Sequence, residues 1–388
     1  MHYSVQPNEI AGFISLLNAA DFYSQEKGEK SKWLERLPEL KQTDFEKLID
    51  FIRDKNLSTG KFIPLMQTHL NEMNSVDDLK EFITKFPTSE MKFNKINAMI
   101  DSVYPVYQKF YQDNERILQN TASKVNDLLN KIALNPLKQL ERFFNSEYQL
   151  KEDKITVYMF PTAINGYRGQ DFPIQQDDQQ WIALGADMLD GTRPIDIGGI
   201  SSIIYHEKVH DLFHDLGADE KLSEYLKGNN KMVQILKELP QLKRNPNISE
   251  IDEAEMMINE SITSAFEGML NEDVRGKGKD ILYENHVINK MAHKTIPLLR
   301  QALKNGGTFG HEFLKKFEKE FEAAVPEVLQ QITKKKTEKS PFKLKMYKRS
   351  QEGKNASRNR TAINAGKKTV FPKWLQNPSW LWRSNKQK

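Results

Sequence analysis

The stretch SSIIYHEKVHDLFHDLG, Ser201 to Gly217, puts His206, Glu207, His210 and His214 into one helix-like run. On a helix, residues four apart lie about 40° apart around the axis and one turn along it, so His206 and His210 can aim their ring nitrogens at a single metal ion. Glu207 projects about 100° round from His206, where its carboxylate reaches a water beside the ion without ligating the ion itself. That combination provides two metal ligands and a general base. His214 does not complete the set: at a rise of about 1.5 Å per residue it lies roughly 12 Å from His206 along the axis, so it is expected to be structural or to support a ligand from behind. The competing reading is a polar helix whose histidines are incidental.

The elements that must position these residues are legible around them. The apolar run ISSIIY buries the start of the helix. Upstream, KITVYMFPT (154–162) has the β-branched and aromatic content of a strand, a Gly/Asp/Gln-rich loop follows, and WIALGADML (181–189) is a second strand candidate. Downstream, residues 219 to about 242 read as a polar helix, and KRNPNISE is a loop whose Ser249 can cap EIDEAEMMINESITSAFEGML. Residues 150–333 therefore read as a mixed unit with more helix than strand. Residues 1–149 read as a helical N-terminal domain, because TDFEKLIDFIRDK, VDDLKEFITKF and NDLLNKIALNPLKQLERFF repeat apolar residues at three- and four-residue steps. The fold class expected is α+β, predominantly helical.

A third protein ligand is required, with one position left for water. The chain has no cysteine, so thiolate ligands, cysteine nucleophiles and disulfides are excluded and a metal must be held by His, Asp and Glu. In MINESITSAFEG, the run Asn259, Glu260, Ser261, Ile262, Thr263 resembles the glutamate helix of thermolysin-like gluzincins, in which NE is followed by a small residue, an apolar one, Ser/Thr and then Asp. The resemblance covers Ser201 to Leu270. It implies a zincin-like metallopeptidase domain over 150–333, Zn2+ as the metal and Glu260 as the third ligand. The activity implied is peptide-bond hydrolysis of a peptide or protein substrate, with Glu207 taking a proton from the attacking water and passing it to the leaving amine. An edge strand upstream would pair with the extended substrate.

Glu267, in FEGML, is the alternative ligand, similar to the EG-apolar-apolar pattern of other gluzincin branches. It shares a helix face with Glu260 but lies about 10 Å along the axis, so the two cannot bind one ion, and Glu260 is the better match. Two departures stand out: 50 residues separate His210 from Glu260, more than in thermolysin, and Ser264 occupies the position of the family's Asp, which leaves the supporting partner of the histidines unassigned. The metzincin pattern fails, because Phe213 and Leu216 occupy its Gly and last His positions. Gluzincins also place a Tyr or His oxyanion donor after the ligand helix, for which Tyr283, His286 and His293 in LYENHVINKMAH are candidates.

Charge divides the chain unevenly. Residues 334–388 carry 17 Lys+Arg against two acidic residues, whereas residues 1–333 carry 40 against 51. This basic arm contains Trp374, Trp380 and Trp382, and suits an anionic polymer or membrane surface, or the acidic body of the same chain. It supports a second functional reading, a non-catalytic polyanion- or membrane-binding protein with a degenerate zincin domain. The first residues lack a basic region followed by an apolar core, and no segment approaches the roughly 18 apolar residues of a membrane span. A soluble chain is expected, in the cytoplasm or exported by a route not visible here.

Overall fold

The computed structural model describes residues 2–20, 28–54, 69–85, 90–145, 154–172, 178–238, 249–275, 286–324 and 326. The basic arm and Tyr283 lie outside them. In chain order the elements are β1 (His2–Pro7), α1 (Glu9–Leu17), α2 (Glu29–Arg36), α3 (Phe45–Asp54), α4 (Val76–Thr84), α5 (Glu90–Ile132) and α6 (Leu134–Phe144). Then follow β2 (Lys154–Thr162), β3 (Tyr167–Phe172), β4 (Asp178–Gly185), α7 (Ala186–Leu189), α8 (Ile197–Asp215), α9 (Ala218–Lys227), α10 (Asn230–Glu238), α11 (Glu250–Arg275) and α12 (His286–Lys304). The described residues are thus mostly helical around one small mixed sheet, consistent with α+β.

The sheet order is β1-β2-β4-β3, with β1 and β4 parallel to β2 and β3 antiparallel to β4. Every residue of β2 after Lys154 is buried, as its nearly continuous apolar run requires of a central strand covered on both faces. Three features depart from the sequence reading. β1 is a strand within the stretch read as wholly helical, pairing His2 to Pro7 with Lys154 to Met159. The Gly/Asp/Gln-rich loop contains β3, and the second strand candidate is shifted: β4 starts at Asp178 and ends at Gly185, with 186–189 forming α7. Six-residue β1 and β3 are too short and polar to announce themselves by alternation, and their partners, not their own propensities, make them strands.

The two edges of the sheet are treated differently. Along β1, Asn126 and Asn130 of α5 take the place of a neighbouring strand. Asn130 Oδ1 accepts the Tyr3 N–H at 3.0 Å, its Nδ2 donates to the Tyr3 carbonyl at 3.0 Å, and Asn126 Oδ1 accepts the Val5 N–H at 3.2 Å. Their i,i+4 spacing puts both amides on one face of the helix, in step with alternate residues of the strand. The outer edge of β3 has no partner strand among the described residues.

One hydrophobic cluster runs from Tyr3 to Ala324, drawing on both sides of residue 150. Within it, Phe144 of α6 contacts Phe213 of α8 and Phe266 of α11, with ring centroids 5.2 and 6.0 Å apart. Edge-to-face pairs of this kind add about 0.5–1.5 kcal/mol each beyond area burial, and here they fix the spacing of α8 and α11. No described helix is long and apolar enough to cross a membrane.

Candidate metal centre

Helix α8 begins at Asp196, whose side chain accepts the Gly199 N–H at 3.0 Å and caps the first turn. Its apolar flank packs on the sheet, where the buried Gln180 amide of β4 engages it directly. The Gln180 nitrogen donates to the Ile204 carbonyl and its oxygen accepts the Lys208 N–H, each at 3.2 Å. That anchors the helix at the turn bearing His206 and Glu207.

Packing of α11 against α8 brings three donors together. His206 Nε2 lies 3.1 Å from His210 Nε2 and 3.6 Å from Glu260 Oε2, and His210 Nε2 lies 3.5 Å from Glu260 Oε1. Metal–ligand bonds of about 2.0–2.1 Å in a tetrahedral site require donors about 3.3 Å apart, and these separations are close to that, with one carboxylate oxygen of Glu260 facing each histidine. Among the described residues this is the one group of three or more His, Asp or Glu side chains arranged to hold a metal ion.

Hydrogen bonding behind the rings fixes their orientation. His206 Nδ1 is 3.1 Å from Glu267 Oε2, and a carboxylate only accepts, so Nδ1 donates there. His210 Nδ1 donates to Asn259 Oδ1 at 2.8 Å, and the same oxygen receives the Thr263 hydroxyl at 3.1 Å. Both Nε2 atoms are thereby left facing each other and a carboxylate, an arrangement that only a cation or a shared proton makes favourable. Glu260 Oε2 is buried and has no hydrogen-bond partner among the described residues. Donor type, spacing and this orphaned oxygen all fit a divalent ion.

The electrostatics express the same demand. Burial works against a charged His206, but Glu260 and Glu267 outweigh it and hold the ring up at about 10. Burial likewise pushes Glu260 up, and His210 and His206 override it, keeping its carboxyl far below the usual range. A proton and a metal ion therefore compete for this site. Glu207 is raised above the ordinary carboxylate value by burial, which His206 and His210 only partly offset. A raised carboxyl beside a metal site is suited to accepting a proton near neutral pH.

Glu267, the alternative ligand by sequence, is therefore placed behind His206 and not in the metal-facing group. It supports His206 from behind, three residues further along the helix than Ser264. His214 stands apart from the cluster: its Nδ1 pairs with Asp219 Oδ2 at 2.7 Å, which raises His214 and lowers Asp219 to about 2. His293 is exposed on α12 and outside the cluster, and the side chain of His286, at the start of α12, is not among the described ones. In the sequence Asn259 and Thr263 stand only as parts of a motif. What they bond could not be inferred without the facing helix.

Sequence reasoning also passed over Gly169 on β3. A Cβ built there would sit 2.3 Å from Ile203 Cγ2 and 3.2 Å from Glu207 Cγ, so only glycine lets the edge strand lie this close to the helix. Gly169→Ala is expected to cost about 1–3 kcal/mol, in the range of overpacking, and to move β3 away from Glu207. Urea denaturation checks this, and adding Ile203→Ala to the variant should recover part of the loss. No recovery would show that the crowding lies elsewhere.

Neither a protein family, a curated protein nor a solved structure matches the chain.

Proposed function

We propose that the chain is a zinc-dependent metallopeptidase of the gluzincin type. The observation that carries this is the convergence of His206, His210 and Glu260 on one point, with the raised carboxyl of Glu207 one residue from the first ligand. His206, His210 and Glu260 would hold the zinc ion, which would supply Lewis-acid stabilisation of developing negative charge and a lowered pKa for water. Glu267 and Asn259 hold the two imidazoles in the tautomer that presents Nε2. Glu207 accepts the proton of the attacking water on its carboxylate, keeps it in a buried setting, and delivers it to the leaving nitrogen of the amide.

The sheet supports a peptide as the substrate class. β1 is closed by asparagines, whereas β3 offers an edge without a partner strand among the described residues, and its Gly169 lies against Glu207. An extended chain adding to that edge forms main-chain hydrogen bonds and passes beside the base.

Elemental analysis of the purified chain is expected to find about one zinc per molecule, the stoichiometry of a three-ligand catalytic site. Cleavage of an unstructured protein such as reduced casein should disappear on chelation and return with added zinc. A chain that takes up no zinc on reconstitution, or cleavage indifferent to chelation, would overturn the proposal.

A further inference from the structure

A cavity of about 910 Å3 opens between α5 and the loop joining α7 to α8. Its lining includes the apolar Ile117, Met188, Leu189 and Ile195 together with Arg116 and Arg193, and no acidic residue is among the described residues that line it. Its size is that of a small-molecule site. His206 lies nine residues beyond the first residue of α8, about 14 Å along the helix axis, so the cavity is separate from the metal centre.

The Arg193 side chain is 66% exposed and has one carboxylate beside it. Its Nε lies 3.1 Å from Asp187 Oδ2, and Asp187 is itself buried, with Oδ1 accepting the Gly166 N–H at 2.7 Å. The Asp187 carbonyl accepts both the Arg193 N–H at 2.8 Å and the Thr192 hydroxyl at 2.7 Å, which closes the turn beneath the arginine. The remaining guanidinium nitrogens bond nothing else among the described residues, and Arg116 has no ion pair among them. Asp187 neutralises part of the charge of Arg193, and Arg116 supplies a second cation without an ion pair among the described residues. Two guanidinium groups lining one cavity suit a planar or tetrahedral anion. The apolar residues of the same lining suit an anion that carries an aliphatic body.

We propose that this cavity binds an amphiphilic organic anion, a carboxylate or phosphate joined to an apolar chain, with Arg116 and Arg193 on the head group and the aliphatic part against Ile117, Met188 and Leu189. This assignment does not depend on the peptidase reading.

Titration calorimetry of the full chain tests it with decanoate, decyl phosphate and decan-1-ol. Decanoate or decyl phosphate should bind once per chain, and whichever binds more tightly identifies the head group. Decan-1-ol should bind at least tenfold more weakly. Arg116→Ala and Arg193→Ala should each weaken the anion by about tenfold, the scale of one charge-assisted hydrogen bond. Ile117→Trp should block it by filling the cavity, and His206→Ala should leave it unchanged. Equal binding of the alcohol, indifference to both arginine variants, or loss of binding in His206→Ala would overturn the proposal, the last by moving the anion to the metal centre.

Discussion

Glu207→Gln is expected to keep its metal and lose hydrolysis by roughly 10²–10⁴-fold in kcat/KM, the contribution of a positioned general base. The substitution preserves the shape of the side chain and its contact with the edge strand at Gly169. It touches none of the three converging donors, which belong to His206, His210 and Glu260. What it removes is the site that accepts the proton. Burial raises this carboxyl, so the native residue takes up a proton near neutrality more readily than an exposed glutamate would, whereas an amide does not take one up at all. Metal content by elemental analysis and turnover of a quenched peptide, measured on the same preparation, decide the matter. Unchanged turnover would remove Glu207 from the mechanism. Loss of metal together with turnover would show that it serves the site as more than a base.

The two glutamates of α11 should separate just as clearly. Glu260→Ala removes one of three ligand side chains and is expected to abolish stoichiometric metal binding. Glu267→Ala should retain the metal at roughly 10–100-fold lower affinity, as for the loss of an outer partner that orients a ligand. The reason lies in which nitrogen each carboxylate faces: Glu260 lies near the Nε2 atoms of both histidines, whereas Glu267 takes the proton of His206 Nδ1. Glu267→Gln keeps an acceptor for that proton and should lose much less than Glu267→Ala. Metal titration against a chelating indicator measures all three. Metal retained in Glu260→Ala and lost in Glu267→Ala would exchange the two roles.

Much of the site was legible because its decisive spacings are local. His206, Glu207 and His210 lie within a single helical turn, where backbone geometry alone dictates direction. Glu260 became visible only through the motif around it, since a lone glutamate on an amphipathic helix carries no signal of ligation. The supporting bonds were not legible. Glu267 and Asn259 reach their histidines across 61 and 49 residues, and nothing in the run INESITSAFEG states how far along α8 the helix α11 will be placed. The aromatic contacts of Phe144 with Phe213 and Phe266 set that offset, and they involve three separate helices.

The fold shows the same division. The strand character of 154–162 follows from a continuous run of β-branched and aromatic residues, which few other environments accept. β1 carries no comparable signal: its identity comes from pairing with β2 some 150 residues away and from two asparagines on α5. β3 is a strand because β4 lies beside it and because Gly169 permits the approach of α8. By itself the sequence therefore determined the placement of His206, Glu207 and His210 on one helix, the absence of cysteine ligands and the predominance of helix. All of these are set by residue type and by separations within one turn of helix or one strand. The tertiary structure decided which glutamate joins the two histidines, what holds each imidazole, which sheet edge has no partner strand among the described residues and that two arginines line one cavity with apolar residues. Those depend on the relative placement of elements, which is governed by packing between residues far apart in the chain.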